Sequence, residues 1–185
     1  MAAVRTRYRF TVDDFHRMAA AGLFTEDDRI ELLEGEVTVM SPIGDRHIAA
    51  VDFLNDRLGA ALRGRGLVRV QSPVRLGPHS APQPDVAMLR RAPDYYRTAP
   101  VTARDVFLVI EVADTHVEYD RAKLPLYAEA GIVEVWIIDL HAERLEVYRQ
   151  PRGAEHERTL VVRRGEVVAP EAFPDIALPT ADLLG

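Results

Sequence analysis

The chain has 185 residues, a length that suits one compact domain over 1–185 with one core. Hydrophobic residues make up 48% and charged residues 28%, with a net charge of -6 and a pI near 5.5; this balance argues against a dedicated nucleic-acid binder but allows an enzyme that gathers carboxylates in one cleft. There are no cysteines, no apolar run near the roughly 18 residues of a membrane span, and no apolar stretch in the opening MAAVRTRYRF, so disulfides, thiolate metal sites, a membrane span and a secretory leader are not expected and a cytoplasmic location is the default.

Residues 1–10 read as a short arm. Thr11 can cap a helix over 12–20, with Asp13 and Asp14 favourable in its first turn and Gly22 as its stop. A second helix is predicted over 26–34, ended by Gly35. Residues 36–40 alternate like a strand, closed by Ser41-Pro42. Ile48, Val51, Leu54, Leu58 and Leu62 are close to helical spacing and predict a longer helix over 45–63. Strands follow at 67–71, 74–76 and 85–89, and 90–104 reads as a polar surface loop. The run 106–112 is apolar except for Glu111, the pattern of a strand buried on both faces. A helix over 120–130 carries Pro125 in its first turns. Residues 134–139 and 144–149 form a hairpin, and short edge strands and a tail complete the chain. This order predicts an α/β domain with a mixed central sheet flanked by helices.

Two features carry chemistry. Burying Glu111 without compensation is expensive, so it should be paired, protonated or metal-bound. Asp85 follows Pro84 at the start of another strand; if the two strands are neighbours, the carboxylates converge as a ligand set suited to Mg²⁺. The plainer alternative is an Asp capping a turn and a Glu paired with an arginine. The second feature is Lys123: the chain has 23 lysines plus arginines, and this is its one lysine. Codon bias accounts for most of the arginine excess, but arginine does not replace a lysine needed as a compact, tunable point charge.

Pro84-Asp85 followed by Glu111-Val112-Ala113 resembles the PD…(D/E)-x-K signature of the restriction-endonuclease-like superfamily. The resemblance is closest to its Uma-two branch, through the segments 29–36, 40–42 with His47, 83–86, 108–112, 120–123, Tyr127, Gly131 and 134–139. It implies a restriction-endonuclease-like core and a Mg²⁺-dependent endonuclease, with Mn²⁺ as a substitute, acting on DNA as a homodimer. It also implies a metal held by Asp85, Glu111 and the Val112 carbonyl. Where the signature has lysine, this chain has Ala113, which implies a lysine moved onto the following helix as Lys123. Asp120, Lys123 and Tyr127 can share one face of that helix. Glu31 would complete the site from a helix, with Glu34 and Glu36 as rivals; His47 and Gln83 are accessory candidates. Trp136 is read as core or dimer packing, and His79, His116 and His141 as surface residues. The strand 134–139 and the apolar tail 173–184 offer more apolar surface than one small domain easily covers, a second reason to expect a homodimer. The alternative reading is a catalytically inactive nuclease fold used for binding or assembly, favoured by the acidic pI and the displaced lysine.

Overall fold

The computed structural model describes residues 7–25, 27–40 and 42–185. Most of the arm at 1–10, and the points at Glu26 and Ser41 where a helix start and a strand stop are expected, lie outside them.

Helix α1 (Val12–Ala20) begins as expected. Thr11 accepts from the Asp14 N–H, and Asp14 answers the Thr11 backbone, a reciprocal capping box. The second helix does not form. In its place β1 (Ile30–Leu33) and β2 (Glu36–Val39) make an antiparallel hairpin. Gly35 is not a helix stop but the second residue of a two-residue turn, with φ of 49° at Glu34 and 80° at Gly35. Positive φ at both positions suits the twist of a hairpin. A side chain at Gly35 would also strike Arg9, whose Cβ lies 2.7 Å from where it would begin.

Helix α2 (Asp45–Ala61) follows, then β3 (Leu67–Val70), β4 (Val86–Leu89) and β5 (Val106–Ala113). The strand expected at 74–76 is only an extended stretch with one bridge, Arg75 to Thr102. The helix expected at 120–130 is two short helices, α3 (Val117–Arg121) and α4 (Leu124–Glu129), with Pro125 in the first turn of α4. Pro125 has no N–H to continue a ladder from the preceding turn, so the break falls before it. Then come β6 (Glu134–Asp139), β7 (Arg144–Arg152), β8 (Glu155–Arg163), β9 (Val167–Val168), β10 (Leu178–Pro179) and α5 (Thr180–Leu184).

The central sheet is mixed, six strands in the order β3-β4-β5-β6-β7-β8, with β5 and β6 parallel and every other pair antiparallel. A parallel pair needs a crossover. Here the crossover is α3–α4, and that returns Lys123 over the sheet beside the end of β5. Side chains alternate across the sheet. Met88, Ile110, Val112, Trp136 and Ile138 pack with Leu54 and Leu58 of α2, while Ala87, Leu89, Val109 and Val135 pack with Tyr127 of α4.

The apolar surfaces expected to support a dimer are used inside the chain. Every residue of β6 is buried, and Phe173, Ile176, Leu178, Leu183 and Leu184 of the tail join the main core. The sheet has two edge strands, the short β3 and β8, and β8 is nine residues long. Trp136 is a core residue whose Nε1 donates to Glu134.

Candidate active site

Asp85 immediately precedes β4 and Glu111 lies near the end of β5. Because Val86 pairs with Ile110 in the antiparallel register, the two acids meet at the same end of the sheet. The Asp85 N–H donates to Glu111 Oε2 at 3.3 Å, and the Val112 N–H donates to Asp85 Oδ2 at 2.8 Å. They open onto a cleft of about 330 Å³, which Val112, Ala113, Asp120, Lys123 and His47 also line.

The lysine is buried in it. Lys123 is 2% exposed, and its Nζ lies 3.0 Å from Glu111 Oε1, 3.1 Å from Asp120 Oδ1 and 3.6 Å from Glu31 Oε1. Tyr127 OH donates to the same Glu111 oxygen at 2.6 Å. So Asp120, Lys123 and Tyr127 do come together, although the helix that carries them is broken. Glu31 is fully buried and reaches the cluster from β1, not from a helix. Its rivals do not join: Glu34 is in the hairpin turn and Glu36 pairs with Arg7.

Glu31 is held by Gln83, an accessory candidate from the sequence, and by Tyr119, which the sequence did not single out. Tyr119 OH and the Gln83 backbone N–H both donate to it, the latter at 2.8 Å. The Gln83 side chain turns away and donates to the Ile30 carbonyl, so its contribution is made by the backbone. Tyr119 stands four residues before Lys123, and that spacing on a helix was the signal available for it. Helix α3 is pinned to β7 by Arg121, which clasps Glu146 with Nε at 3.0 Å and Nη2 at 2.5 Å.

His47 is buried, not at the surface. Its Nδ1 donates to the Val112 carbonyl at 2.9 Å, and its Nε2 lies 3.0 Å from Asp85 Oδ1. That second approach lacks hydrogen-bond geometry, so among the described residues Nε2 has no hydrogen-bond partner. The two facts agree if the contact is electrostatic attraction rather than a directed bond. Of the other histidines, His116 lines the cleft, His79 is half-buried against the Phe10 carbonyl and His141 is exposed.

One lysine cannot neutralise Glu31, Glu111 and Asp120 together. Burial pushes Glu111 up to about 8 against the pull of Lys123, and burial likewise raises Asp120. For Lys123 burial acts downward, but Glu111, Asp120 and Glu31 outweigh it and hold the ammonium charged. Burial also lowers His47, and Asp85 and the Val112 carbonyl more than reverse it. Around Lys123, three carboxylates therefore face one ammonium.

That imbalance bears on a metal. Among the described residues no group of three or more histidine, aspartate or glutamate side chains is arranged to hold an ion. The cleft offers a smaller, all-oxygen set: the Asp85 and Glu111 carboxylates and the Val112 carbonyl. Hard divalent cations prefer oxygen, and Mg²⁺ usually keeps several waters with only one or two carboxylates. The donor set and its unbalanced charge fit such an ion.

The family model described as "Uma2: Putative restriction endonuclease" matches residues 12–181. The chain belongs to the Uma2 family. Among solved structures, this Uma2 chain is similar to one described as a "putative nuclease belonging to DUF820" from Anabaena variabilis ATCC 29413. The TM-score is 0.76 at 18% identity, over 95% of this chain and 97% of that one, a likeness of fold. No curated protein matches significantly. Among the described residues of the Uma2 chain, no helix is long and apolar enough to cross a membrane.

Proposed function

We propose that the cleft hydrolyses phosphodiester bonds of DNA with a divalent cation, Mg²⁺ or Mn²⁺, held by Asp85, Glu111 and the Val112 carbonyl. The observation that carries this reading is the buried Lys123 ammonium, 3.0 Å from Glu111 in the cleft that Asp85 also lines. Membership of a family described as "Putative restriction endonuclease" supports it. Such a cation, when bound, polarises a phosphoryl oxygen and lowers the pKa of water. The protein groups do the positioning. The Val112 N–H fixes Asp85, and Tyr127 OH fixes Glu111. Lys123 stabilises charge developing on the phosphate or orients the attacking water. Glu31, held by Tyr119 and the Gln83 N–H, keeps Lys123 in place.

The test is nicking of supercoiled plasmid with Mg²⁺ or Mn²⁺, against EDTA and against Asp85→Ala. Metal-dependent nicking that disappears in the variant is expected; equal nicking by both proteins removes the site. A second reading, a non-catalytic binding module, draws on the fact that both Glu111 oxygens already accept hydrogen bonds. Metal binding without any cleavage would favour it.

We also propose a homodimer joined edge to edge through β8. Leu160 and Val161 are exposed there, at 37% and 51%. Antiparallel self-pairing about Thr159 sets Glu155 of one copy against Arg163 of the other, twice. An unpaired edge strand is a template for such pairing, and opposite charges across strands favour it.

A further inference from the structure

Positive charge in this acidic chain is segregated. Residues 61–105 contain eight arginines, three aspartates and no glutamate. Asp85 belongs to the cleft, while Asp94 and Asp105 are engaged in turns, accepting from Thr98 and Thr102. Arg65 pairs with Asp175 and Arg75 with Asp13. Among the described residues the other six, Arg63, Arg69, Arg90, Arg91, Arg97 and Arg104, make no ion pair with a carboxylate, and all but the half-buried Arg69 are exposed.

Contacts tie most of these arginines into one surface. The Arg90 guanidinium lies over the Phe107 ring and donates to the Arg104 carbonyl at 3.0 Å. Arg69 lies over the Tyr96 ring and donates to the Tyr95 carbonyl, and Tyr96 OH donates to the Arg90 carbonyl at 2.7 Å. Arg91 reaches Gly64, next to Arg63, with its Nη1 4.0 Å from where a side chain there would begin. Tyr95 and Tyr96 both hold positive φ, 56° and 60°, a conformation that bulky residues avoid. The result leaves Tyr95 60% exposed among the arginines.

We propose that this arginine–tyrosine surface binds the phosphate backbone of duplex DNA, at the end of the sheet opposite the cleft. The choice of DNA as the polyanion rests on the nuclease reading above. Unpaired arginines match phosphates in charge and in hydrogen-bond geometry. An exposed aromatic beside them adds a face for sugar or base. The spacing suits one duplex bound at both places. Asp85 and Arg90 flank the same strand, five residues apart, or about 17 Å at roughly 3.3 Å per residue. At about 3.4 Å per step that equals roughly five base pairs from the cleft.

The test is fluorescence anisotropy of a labelled, random-sequence 20-base-pair duplex, in EDTA so that no cleavage occurs, across a salt series. Arg63→Glu, Arg91→Glu and Arg104→Glu are combined in one protein; the control combines Arg9→Glu, Arg17→Glu and Arg57→Glu, exposed arginines away from both this surface and the β8 edge, with the same change in net charge. The patch variant is expected to bind at least tenfold more weakly. Its slope of log affinity against log salt should be shallower by about 2.7, close to 0.9 for each lost contact. The control should keep the wild-type slope. Equal losses in both variants, or no duplex binding by the wild type, overturn the proposal. So does loss of binding to phosphatidylserine vesicles by the patch variant with duplex binding unchanged, which would mark a membrane surface instead. Because binding is read without cleavage, a protein that binds through the patch but never nicks DNA overturns the nuclease reading alone. One that nicks DNA with an unchanged patch-variant slope overturns the patch alone.

Discussion

Removing the amine of Lys123 tests the candidate site from two directions. Lys123→Met keeps much of the volume and leaves Glu31, Glu111 and Asp120 around a neutral group. Breaking a buried ion pair by deleting one partner costs about 3–5 kcal/mol. For a chain of this size each kcal/mol moves Tm by about 2–4 °C, so a fall on the order of 6–20 °C is expected in differential scanning calorimetry. The proposed role in catalysis adds a separate loss, at least about 100-fold in kcat or roughly 2.7 kcal/mol, measured well below the new Tm. Lys123→Arg should also fail, because a planar fork does not fit where three carboxylates surround a compact ammonium. The decisive variant moves the lysine. Ala113 lies two residues beyond Glu111 on the same face of β5 and lines the same cleft. Lys123→Met combined with Ala113→Lys should recover part of the lost activity. An unchanged Tm in Lys123→Met refutes the buried ion-pair geometry, and wild-type kcat in that protein removes Lys123 from the mechanism.

Calorimetric titration with Mn²⁺ should show binding to the wild type that Asp85→Ala lacks; equal heats in both proteins sink the metal site. In EDTA, stability should fall as pH rises. Glu111 is raised from 4.5 to about 8, so the folded state keeps a proton that the unfolded state has released across that window. The loss is at most about 1.4 kcal/mol per pH unit. His47, also raised, acts with the same sign above its ordinary 6.5. Thermal melts between pH 5 and 8 should therefore slope downward, less steeply in Glu111→Gln; a flat wild-type profile contradicts the burial of an uncompensated carboxylate. Light scattering at micromolar concentration should give the mass of a dimer, and Val161→Glu, which sets like charge against Glu157 of the other copy in the β8 pairing, should give a monomer; a wild-type monomer rejects the assembly.

Much of the site was legible because some residues break strong local patterns. A carboxylate in the apolar run 106–113 has to be compensated wherever the strand lies, which marked Glu111 before any neighbour was known. Lys123 stood out by chemistry, as the one lysine among arginines. Thr11, with Asp13 and Asp14 after it, announced the start of α1, because a cap and first-turn acids are local signals; that Asp14 answers Thr11 was shown by the structure. Glu31 was also marked, but in the wrong element. Four residues, Ile30-Glu31-Leu32-Leu33, are too few to separate a helical from an alternating period, and a glycine after them serves a helix end and a hairpin turn equally well. Pairing with β2 and the bridge from Leu32 to Ala81 resolve that ambiguity, and both are contacts at a distance along the chain. His47 looked like a residue at a helix start until α2 packed against β5 and brought its ring to the Val112 carbonyl. The tail looked exposed for the same reason: nothing within 173–184 records that the core has a gap for Phe173, Leu183 and Leu184. Periodicity, caps and the burial cost of a charge are written within a few residues, so the sequence alone determined most elements and the acids that needed partners. Which groups became those partners was decided only in the tertiary structure, by strand register and by the crossover from β5 to β6.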